Sequence, residues 1–267
     1  MNPDYMSYMT TIPEQMMQAM AFAPENIPAF IAMALCSTGG FLVYIWALKM
    51  IVKEKTDPYP LWLHCWMITW DAITSVTCWI MAFNYDFFWL FVMFGVFEPI
   101  WVIMEAICIY QAVKQRSSRE EEFADITDGP VTKGQAWFYV VGMLATGFAL
   151  NMWAFSMLGG PQNGVWILCP ITNYVIALWS WRFWRRRAKR TGTREGNSLT
   201  LQIILAVEIT LMWVPGLSWW LALTQFDHQL WFYVIGIVST CVAVYNLWCC
   251  AKLPKANAKK AEAALQQ

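Results

Sequence analysis

Seven apolar runs, most of 20 or more residues and separated by short polar segments, dominate the chain. An α-helix needs about 20 apolar residues to cross the hydrocarbon core of a bilayer, at a rise of about 1.5 Å per residue. We therefore expect an all-α membrane protein, built as a single bundle of seven transmembrane helices. The predicted spans are Pro28–Ile51, Pro60–Phe83, Asp86–Ala112, Gln135–Leu158, Val165–Trp184, Ser198–Ala222 and Leu230–Cys250.

All 18 lysine and arginine residues lie in the last turn of odd-numbered spans or after them, so one side of the membrane receives every cation. None occurs in the 48 residues before Lys49. Because Lys and Arg favour the cytosolic side, we expect a lumenal or external N-terminus and a cytosolic C-terminus. The predicted parts are a lumenal segment (1–27), a transmembrane domain (28–250) and a cytosolic tail (251–267).

The composition supports a membrane protein, since 58% of the residues are hydrophobic and only 13% are charged. A soluble domain carries roughly 25% charged residues. The basic run Arg185–Arg190 directly follows a span, and we expect it to face anionic lipid and not nucleic acid. The acidic triplet Glu120–Glu122 is expected to lie in a solvated loop. Membrane lipid is thus a predicted partner, and the oligomeric state is left open.

Four acidic residues lie inside predicted spans, namely Asp71 in the second, Glu98 and Glu105 in the third, and Glu208 in the sixth. No Lys or Arg lies at a similar depth, and an unpaired carboxylate there costs several kcal/mol. We therefore expect neutral carboxylic acids that face the bundle interior. Asp71 and Glu208 each lie roughly 15 Å from the basic end of their spans. A cluster of acids forms if the second, third and sixth spans adjoin.

Polar residues in other spans leave two interpretations of these acids open. In the first, each acid hydrogen-bonds to Asn151, Asn173, Thr69 or a backbone carbonyl and serves only helix assembly. In the second, the acids and the two asparagines line a binding site for a small molecule.

Tryptophan is abundant, with 18 residues, and those near span ends are typical of anchors at the headgroup level. Trp70, Trp101 and Trp213 lie well inside spans instead. They either fill the core or line an apolar pocket in which their π faces stabilise a cation. Prolines inside three spans each remove a backbone donor and predict kinks. These prolines are Pro99, Pro170 and Pro215.

Several functional classes are excluded by missing residue types. The seventh span has no Lys for a retinal Schiff base, and the only histidines are His64 and His228, without an HExxH motif. Two classes remain. One is an enzyme that uses acid catalysis on a lipophilic substrate in a dry, aromatic pocket. The other is a proton-coupled carrier, or a small seven-helix receptor, that uses the same acids.

Short motifs spread over most of the chain are similar to one family of membrane enzymes. They are Glu54–Thr56, Cys65 and Trp70–Asp71 at the second span, Glu105–Lys114 in the third, Gly160–Pro161 before the fifth, and Gly196–Leu201 at the sixth. On these motifs the chain resembles the fungal membrane-bound terpene cyclases of meroterpenoid and indole-diterpene biosynthesis, which are small seven-helix proteins.

The resemblance implies cyclisation of a prenylated aromatic or indole substrate after protonation of a terminal epoxide or olefin. It implies Asp71 as the general acid, at a position where the family has Glu. The second essential acid of the family lies in its last helix, but the seventh span here contains none. Glu208, or else Glu98 or Glu105, is expected to replace it.

The resemblance also implies a substrate class, the residues that line the reaction site, the cofactor requirement and the cellular compartment. The expected partner is a lipophilic small molecule, and Trp70, Trp101 and Trp213 are the expected wall residues. No metal or organic cofactor is expected, because a proton starts the reaction in place of diphosphate loss. The expected compartment is the endoplasmic reticulum.

Overall fold

The computed structural model describes residues 12–123, 127 and 129–255, with backbone only for Arg116 and for residues 180–183. The described residues form α-helices and two short 3-10 helices, and no strand occurs among them. The α-helices are α1 (Ile12–Ala19), α2 (Ile27–Glu54), α3 (Leu61–Asn84), α4 (Trp89–Lys114), α5 (Arg116–Glu122), α6 (Lys133–Met157), α7 (Pro161–Thr191), α8 (Leu199–Leu211) and α9 (Leu230–Ala251). The 3-10 helices are Pro24–Asn26 and Trp219–Ala222.

Helices occur at all seven predicted spans, and five are long and apolar enough to cross a membrane. These five are α2 with its preceding 3-10 turn, α4, α6, α7 and α9. Helix α3 has 24 residues but carries several buried polar side chains, among them His64 and Asp71. Many large apolar side chains lie on the outer surface of the bundle. Phe138 and Leu230, for example, are both 77% exposed. An outward-facing apolar surface of this kind is typical of an integral membrane protein.

The sixth predicted span, Ser198–Ala222, is wrong as a continuous helix, because α8 ends at Leu211. Pro215 disfavours helical geometry in the residue before it, and Gly216 adopts a positive φ of 76°. The Ser218 hydroxyl donates to the Met212 carbonyl at 2.6 Å, so a carbonyl near the helix end is satisfied. Pro215 therefore ends a helix, whereas Pro99 and Pro170 lie inside α4 and α7.

After this turn, the chain folds back into the bundle instead of continuing outward. The 3-10 helix places Trp219 and Trp220 in the interior, with ring centroids 4.0 Å apart. Both side chains are almost fully buried. The broken sixth span thus supplies two aromatic rings to the core that a straight helix would have directed elsewhere.

Helix α3 lies at the centre of the bundle and packs against α4, α6 and α7. Its approach to α6 is close at Gly147, where an added Cβ would lie 3.0 Å from Thr69 Oγ1 and 3.2 Å from Trp66 Cα. Small residues at helix contacts allow this approach in membranes. Helix α2 packs against α4 and α8, and α8 packs mainly against α9 and α2. Five of these helices, α2, α3, α4, α7 and α8, surround one interior space.

The basic end of the bundle, formed by the loops after α2, α4 and α7, is held together by Arg187. Its side chain is 2% exposed and contacts Glu121 Oε2 at 2.8 Å, while Nη1 donates to the Asp57 carbonyl at 2.8 Å. Gly196 lies beside it with φ of 70°, and an added Cβ would be 1.9 Å from Nη1. Arg187 therefore does not face lipid, and Glu121 is not in a solvated loop, contrary to the sequence prediction.

Glu122, also predicted to be solvated, instead caps the N-terminus of α3. Its Oε2 accepts a hydrogen bond from the Leu61 amide at 2.9 Å. Burial raises the pKa of Glu122 from its ordinary value of 4.5 to about 8, and the hydrogen bond from the Leu61 amide only partly offsets this. The acidic triplet is thus part of the folded structure, because an otherwise open helix terminus and a buried guanidinium both need acceptors.

At the opposite end, α1 lies across the bundle and packs against α7 and the second 3-10 helix. Its residues Ile12 and Met16, together with Met20, are fully buried. The Trp89 indole donates to the Met20 carbonyl at 2.8 Å, which fixes the end of α1 to the start of α4. The segment from Ile12 to Met20 therefore closes this end of the bundle.

Candidate functional site

One cavity lies among α2, α3, α4, α7, α8 and the second 3-10 helix. The empty space between its walls, including the part open to the surroundings, is about 650 Å³. Within it, the volume in which the centre of a water molecule can lie is about 70 Å³. That smaller volume is enough for several waters, since one water needs about 10–15 Å³ by this measure. The lining residues are Cys36, Ser37, Gly40, Val43, Tyr44, Met67, Trp70, Asp71, Phe94, Glu98, Trp101, Cys169, Thr172, Asn173, Ile176, Glu208, Met212, Trp219 and Trp220.

Asp71 and Glu98 form an acid pair in the wall of this cavity. They lie on the adjacent helices α3 and α4, and their side chains are within hydrogen-bonding contact of each other. Asp71 Oδ2 and Glu98 Oε2 are buried and have no N–H or O–H donor among the described residues. Two carboxyl groups can hydrogen-bond only if at least one of them holds a proton. The pair therefore retains a proton inside the bundle.

Glu208 reaches the same cavity from α8. It packs on α2, where a Cβ added to Gly39 would lie 3.3 Å from Glu208 Cβ and Cγ. A Cβ added to Gly40 would lie 3.5 Å from Glu208 Oε1 and 3.5 Å from the Trp101 ring. Two consecutive glycines thus create the room for the Glu208 side chain. Three of the four predicted acids consequently line one cavity.

Aromatic rings make up much of the remaining wall. Trp70 and Trp101 were predicted as wall residues and line the cavity, as do Phe94, Trp219 and Trp220. The Phe94 and Trp219 rings are stacked with centroids 6.2 Å apart. Because π faces attract positive charge, this wall can stabilise a cation near the acid pair.

Trp101 also forms the link between the cavity and the outer surface. Its ring stacks on Phe41 with centroids 4.6 Å apart, and Phe41 in turn contacts Phe97 edge-on at 5.7 Å. Phe97 is exposed on the surface of α4. These three rings therefore lie between the cavity and the surroundings of the bundle, at the contact of α2 with α4.

Asn173 lines the cavity, and its amide nitrogen donates to the Cys169 carbonyl at 3.1 Å. Asn173 therefore bonds to its own helix through its nitrogen.

Two predicted substrate contacts lie outside the cavity. The Trp213 indole donates to Thr240 Oγ1 on α9 at 2.9 Å, because the chain turns away after Leu211. Asn151 accepts from the Trp66 indole at 2.8 Å and donates to Thr69 Oγ1 at 3.0 Å. Both side chains therefore join helices and do not reach the acids, so their prediction as substrate-binding residues is not supported by the geometry.

Glu105, the fourth predicted acid, lies beside a smaller cavity nearer the basic end. Its two carboxylate oxygens are both engaged, one with the Tyr44 hydroxyl and the other with His64 Nδ1. The other nitrogen of the ring, Nε2, lies 3.0 Å from Asp57 Oδ2. The sequence interpretation assigned none of Tyr44, His64 and Asp57 to the site. A signal was present, because His64 stands seven residues before Asp71, on the same face of α3.

Asp57, His64 and Cys108 place potential metal-binding atoms within 4.8 Å of one another. All three side chains are buried. In this structure, however, each imidazole nitrogen already contacts a carboxylate oxygen. The arrangement is accordingly an imidazole between two carboxylates, with a hydrogen bond to Glu105 and an ion-pair contact to Asp57, and no cation is needed to explain it.

The cavity thus combines a proton donor, a second carboxyl group and π faces in a small space. An acid that retains its proton can transfer it to a weakly basic group of a ligand. A buried aromatic wall can stabilise the positive charge that results, and the limited water content protects such a charge from quenching. No family model, no curated protein and no solved structure matches this chain.

Proposed function

We propose that this protein is an integral membrane terpene cyclase. In this proposal it crosses the bilayer seven times, with its basic loops in the cytosol and its N-terminus in the lumen of the endoplasmic reticulum. It cyclises a lipophilic prenylated aromatic or indole compound after protonating a terminal epoxide or olefin. The distribution of Lys and Arg supports the orientation, and the resemblance of the sequence motifs supports the reaction class.

The acid pair of Asp71 and Glu98 at an aromatic cavity wall is the observation that carries this proposal. Protonation of an epoxide or olefin needs an acid that is still protonated at neutral pH and is shielded from water. Two carboxyl groups that share a proton in the bundle interior meet both conditions. Neither a purely structural helix contact nor a simple lipid-binding groove requires three acids and six aromatic rings at one cavity.

The reaction assigns a role to each acid. Asp71, supported by Glu98, donates its proton to the epoxide oxygen; the C–O bond breaks and leaves a carbocation. Substrate π bonds attack this cation in turn and close the rings, while Trp70, Trp101 and Trp219 stabilise the charge. Glu208, from the other wall, accepts the proton released at the end. Substrate and product therefore have the same formula, and no electrons are transferred.

The size of the cavity places a condition on this reaction. The volume open to the centre of a water molecule, about 70 Å³, is too small for a prenylated aromatic compound. Binding of the substrate must therefore widen the cavity. Trp101, Phe41 and Phe97 are placed to move, because they separate the cavity from the outer surface. A substrate dissolved in the membrane would reach the acids by this route without crossing an aqueous phase.

Membranes that contain the protein should convert a member of a panel of epoxyprenyl and prenyl aromatics or indoles into an isomer of unchanged mass. Membranes without the protein provide the control, and chromatography with mass spectrometry is the measurement. Absence of any isomer across the panel, with the protein folded, would contradict the proposal.

A proton-coupled carrier is the second candidate, favoured by the buried contacts that run from Tyr44 in the cavity wall to Asp57. Proteoliposomes distinguish the two candidates. A carrier accumulates a solute when a pH gradient is imposed and forms no isomer, whereas a cyclase forms product without any gradient.

A further inference from the structure

Four polar side chains form a continuous buried chain outside the acid pair. The Tyr44 hydroxyl donates to Glu105 Oε1, Glu105 Oε2 contacts His64 Nδ1, and His64 Nε2 lies 3.0 Å from Asp57 Oδ2. All four residues are buried, with side-chain exposure of 2% for His64, 1% for Glu105 and 7% for Asp57. The Tyr44–Glu105 and Glu105–His64 contacts are hydrogen bonds, whereas His64 Nε2 and Asp57 Oδ2 form an ion-pair contact in which a proton can pass once the two groups align.

The two ends of this chain lie in different surroundings. Tyr44 lines the central cavity together with Asp71 and Glu98, and it also lines the smaller cavity that contains Glu105 and His64. Asp57 lies in the loop between α2 and α3 at the basic end, where its carbonyl accepts from Arg187. The chain therefore runs from the acid-lined cavity towards the aqueous side of the basic end.

We propose that Tyr44, Glu105, His64 and Asp57 form a proton relay that connects the acid pair with water at the basic end. Tyr44 gives its hydroxyl proton to cavity water, which passes a proton to the carboxylate of the pair. Tyr44 then receives a proton from Glu105, Glu105 receives one from His64 Nδ1, and His64 Nε2 takes one from Asp57, which is replenished from water. One proton enters and one is delivered, so each relay member regains the number of protons with which it began. His64 is left with its proton on Nε2 in place of Nδ1, and the imidazole returns to the Nδ1–H form before the next transfer.

A purely structural ion pair does not explain this arrangement. One carboxylate would compensate a buried imidazolium, and a second buried carboxylate adds a desolvation cost of several kcal/mol. Here both ring nitrogens contact carboxylates, which is the arrangement an imidazole needs in order to take a proton on one side and release it on the other. The phenol then extends the chain into the cavity. The cavity itself has room for the waters that complete the path to Asp71.

The relay rests on the proposed function only in that the acid pair must regain the proton that it donates. Its test therefore needs no substrate. After transfer of the purified protein in lipid nanodiscs from H₂O to D₂O, infrared spectroscopy follows the carboxylic C=O band of the acid pair. Loss of this band in Asp71→Asn assigns it. The rate at which the band shifts reports proton exchange between the pair and bulk water.

The variants Tyr44→Phe and His64→Asn interrupt the relay, and each is expected to slow this exchange by roughly 10²-fold, the lower end of what loss of a proton-transferring group costs. Their matched controls are Tyr110→Phe and His228→Asn, which change exposed residues and should leave the rate unchanged. Tyr44→Phe removes a single hydroxyl, so it decides the question if the His64 variant does not fold. Exchange at the wild-type rate in folded Tyr44→Phe would overturn the relay.

Metal analysis supplies a second, independent outcome. A stoichiometric metal ion in the purified protein that is lost in Cys108→Ala would also overturn the relay, because Asp57 and His64 would then be ligands. If the isomerisation assay fails while exchange depends on Tyr44 and His64, the relay stands and the cyclase proposal does not. If the protein forms the isomer while proton exchange does not depend on Tyr44 and His64, the cyclase proposal stands and the relay does not.

Discussion

Asp71 on α3 and Glu98 on α4 bring their carboxyl groups into hydrogen-bonding contact inside the bundle, at the wall of a cavity. No Lys or Arg occurs at the depth of either residue in its span, and the contact therefore depends on a shared proton. Like-charged carboxylates so close together cannot both ionise without a large cost. The pair consequently behaves as one proton-holding unit and not as two separate acids.

The first prediction concerns the second member of this pair. Glu98→Gln keeps the size and the hydrogen-bonding capacity of the side chain but removes the acid. We expect the rate of isomer formation to fall by about 10²–10⁴, the range for loss of a general acid or base. Glu25→Gln is the matched control, because Glu25 is exposed and lies outside the cavity. Equal rates for the two variants would remove Glu98 from the reaction.

The second prediction tests whether the cavity is the place of the reaction. A Cβ at position 40 would be in ordinary contact, at 3.5 Å, with Glu208 and Trp101, so Gly40→Ala fits. Gly40→Leu would fill the space between these two side chains and should block product formation while the protein still folds. Gly142→Leu adds the same bulk where nothing lies within 4 Å and should retain activity. A fully active Gly40→Leu would place the substrate elsewhere.

The third prediction concerns stability at the contact between α9 and the segment after α8. A Cβ added to Gly236 would lie only 2.2 Å from Trp213 Cγ. Gly236→Ala should therefore destabilise the protein by about 1–3 kcal/mol, as overpacked substitutions do. Thermal unfolding in detergent measures this loss, with Gly142→Ala as the control that meets no neighbour. An unchanged unfolding temperature for Gly236→Ala would mean that Trp213 is not packed there.

The fourth prediction is a pH dependence at the basic end. Because burial raises the pKa of Glu122 to about 8, the folded protein keeps this proton after the unfolded chain has released it. Between about pH 4.5 and 8 the folded state binds more protons, so the free energy of unfolding contributed by Glu122 falls as the pH rises. Glu122→Gln should flatten this part of the profile, and Glu25→Gln should not. A wild-type slope in Glu122→Gln would contradict the assignment.

The sequence was sufficient to locate the helices and most of the cavity. Long apolar runs identified α2, α4, α6, α7 and α9, because uninterrupted hydrophobicity is a strong signal. Asp71, Glu98 and Glu208 were recognisable because acids without cations are rare inside apolar spans. Their meeting in one cavity depends on which helices are neighbours, and hydrophobic periodicity alone does not determine that.

The sixth span shows what an apolar run conceals. Residues 198–222 are mostly apolar and contain no Lys or Arg, so length and hydropathy favoured one helix. Pro215 and Gly216 break the run, and Trp219 and Trp220 return to the cavity wall. An apolar side chain can be buried equally well by a spanning helix or by a chain that folds back, so composition does not distinguish the two.

Three of the four relay residues, Tyr44, His64 and Asp57, were missed for a different reason, whereas Glu105 was a predicted site acid. Asp57 stands in a loop next to cationic residues, and such acids are usually solvated. Its contact with His64 arises only because the loop turns inward beneath Arg187. Tyr44 carries no formal charge and was therefore not distinguished from the many other aromatic residues. Buried polar contacts of this kind depend on tertiary packing and leave little trace in a single sequence.

The role of Asp71 as proton donor is decided by the rate of isomer formation in Asp71→Asn, measured at equal amounts of folded protein in the same membranes. Asp86→Asn, the same change at an exposed loop residue, is the control. We predict that the loop variant retains the wild-type rate and that Asp71→Asn loses at least about 10²-fold. An Asp71→Asn protein as active as the loop variant would contradict acid catalysis by this residue.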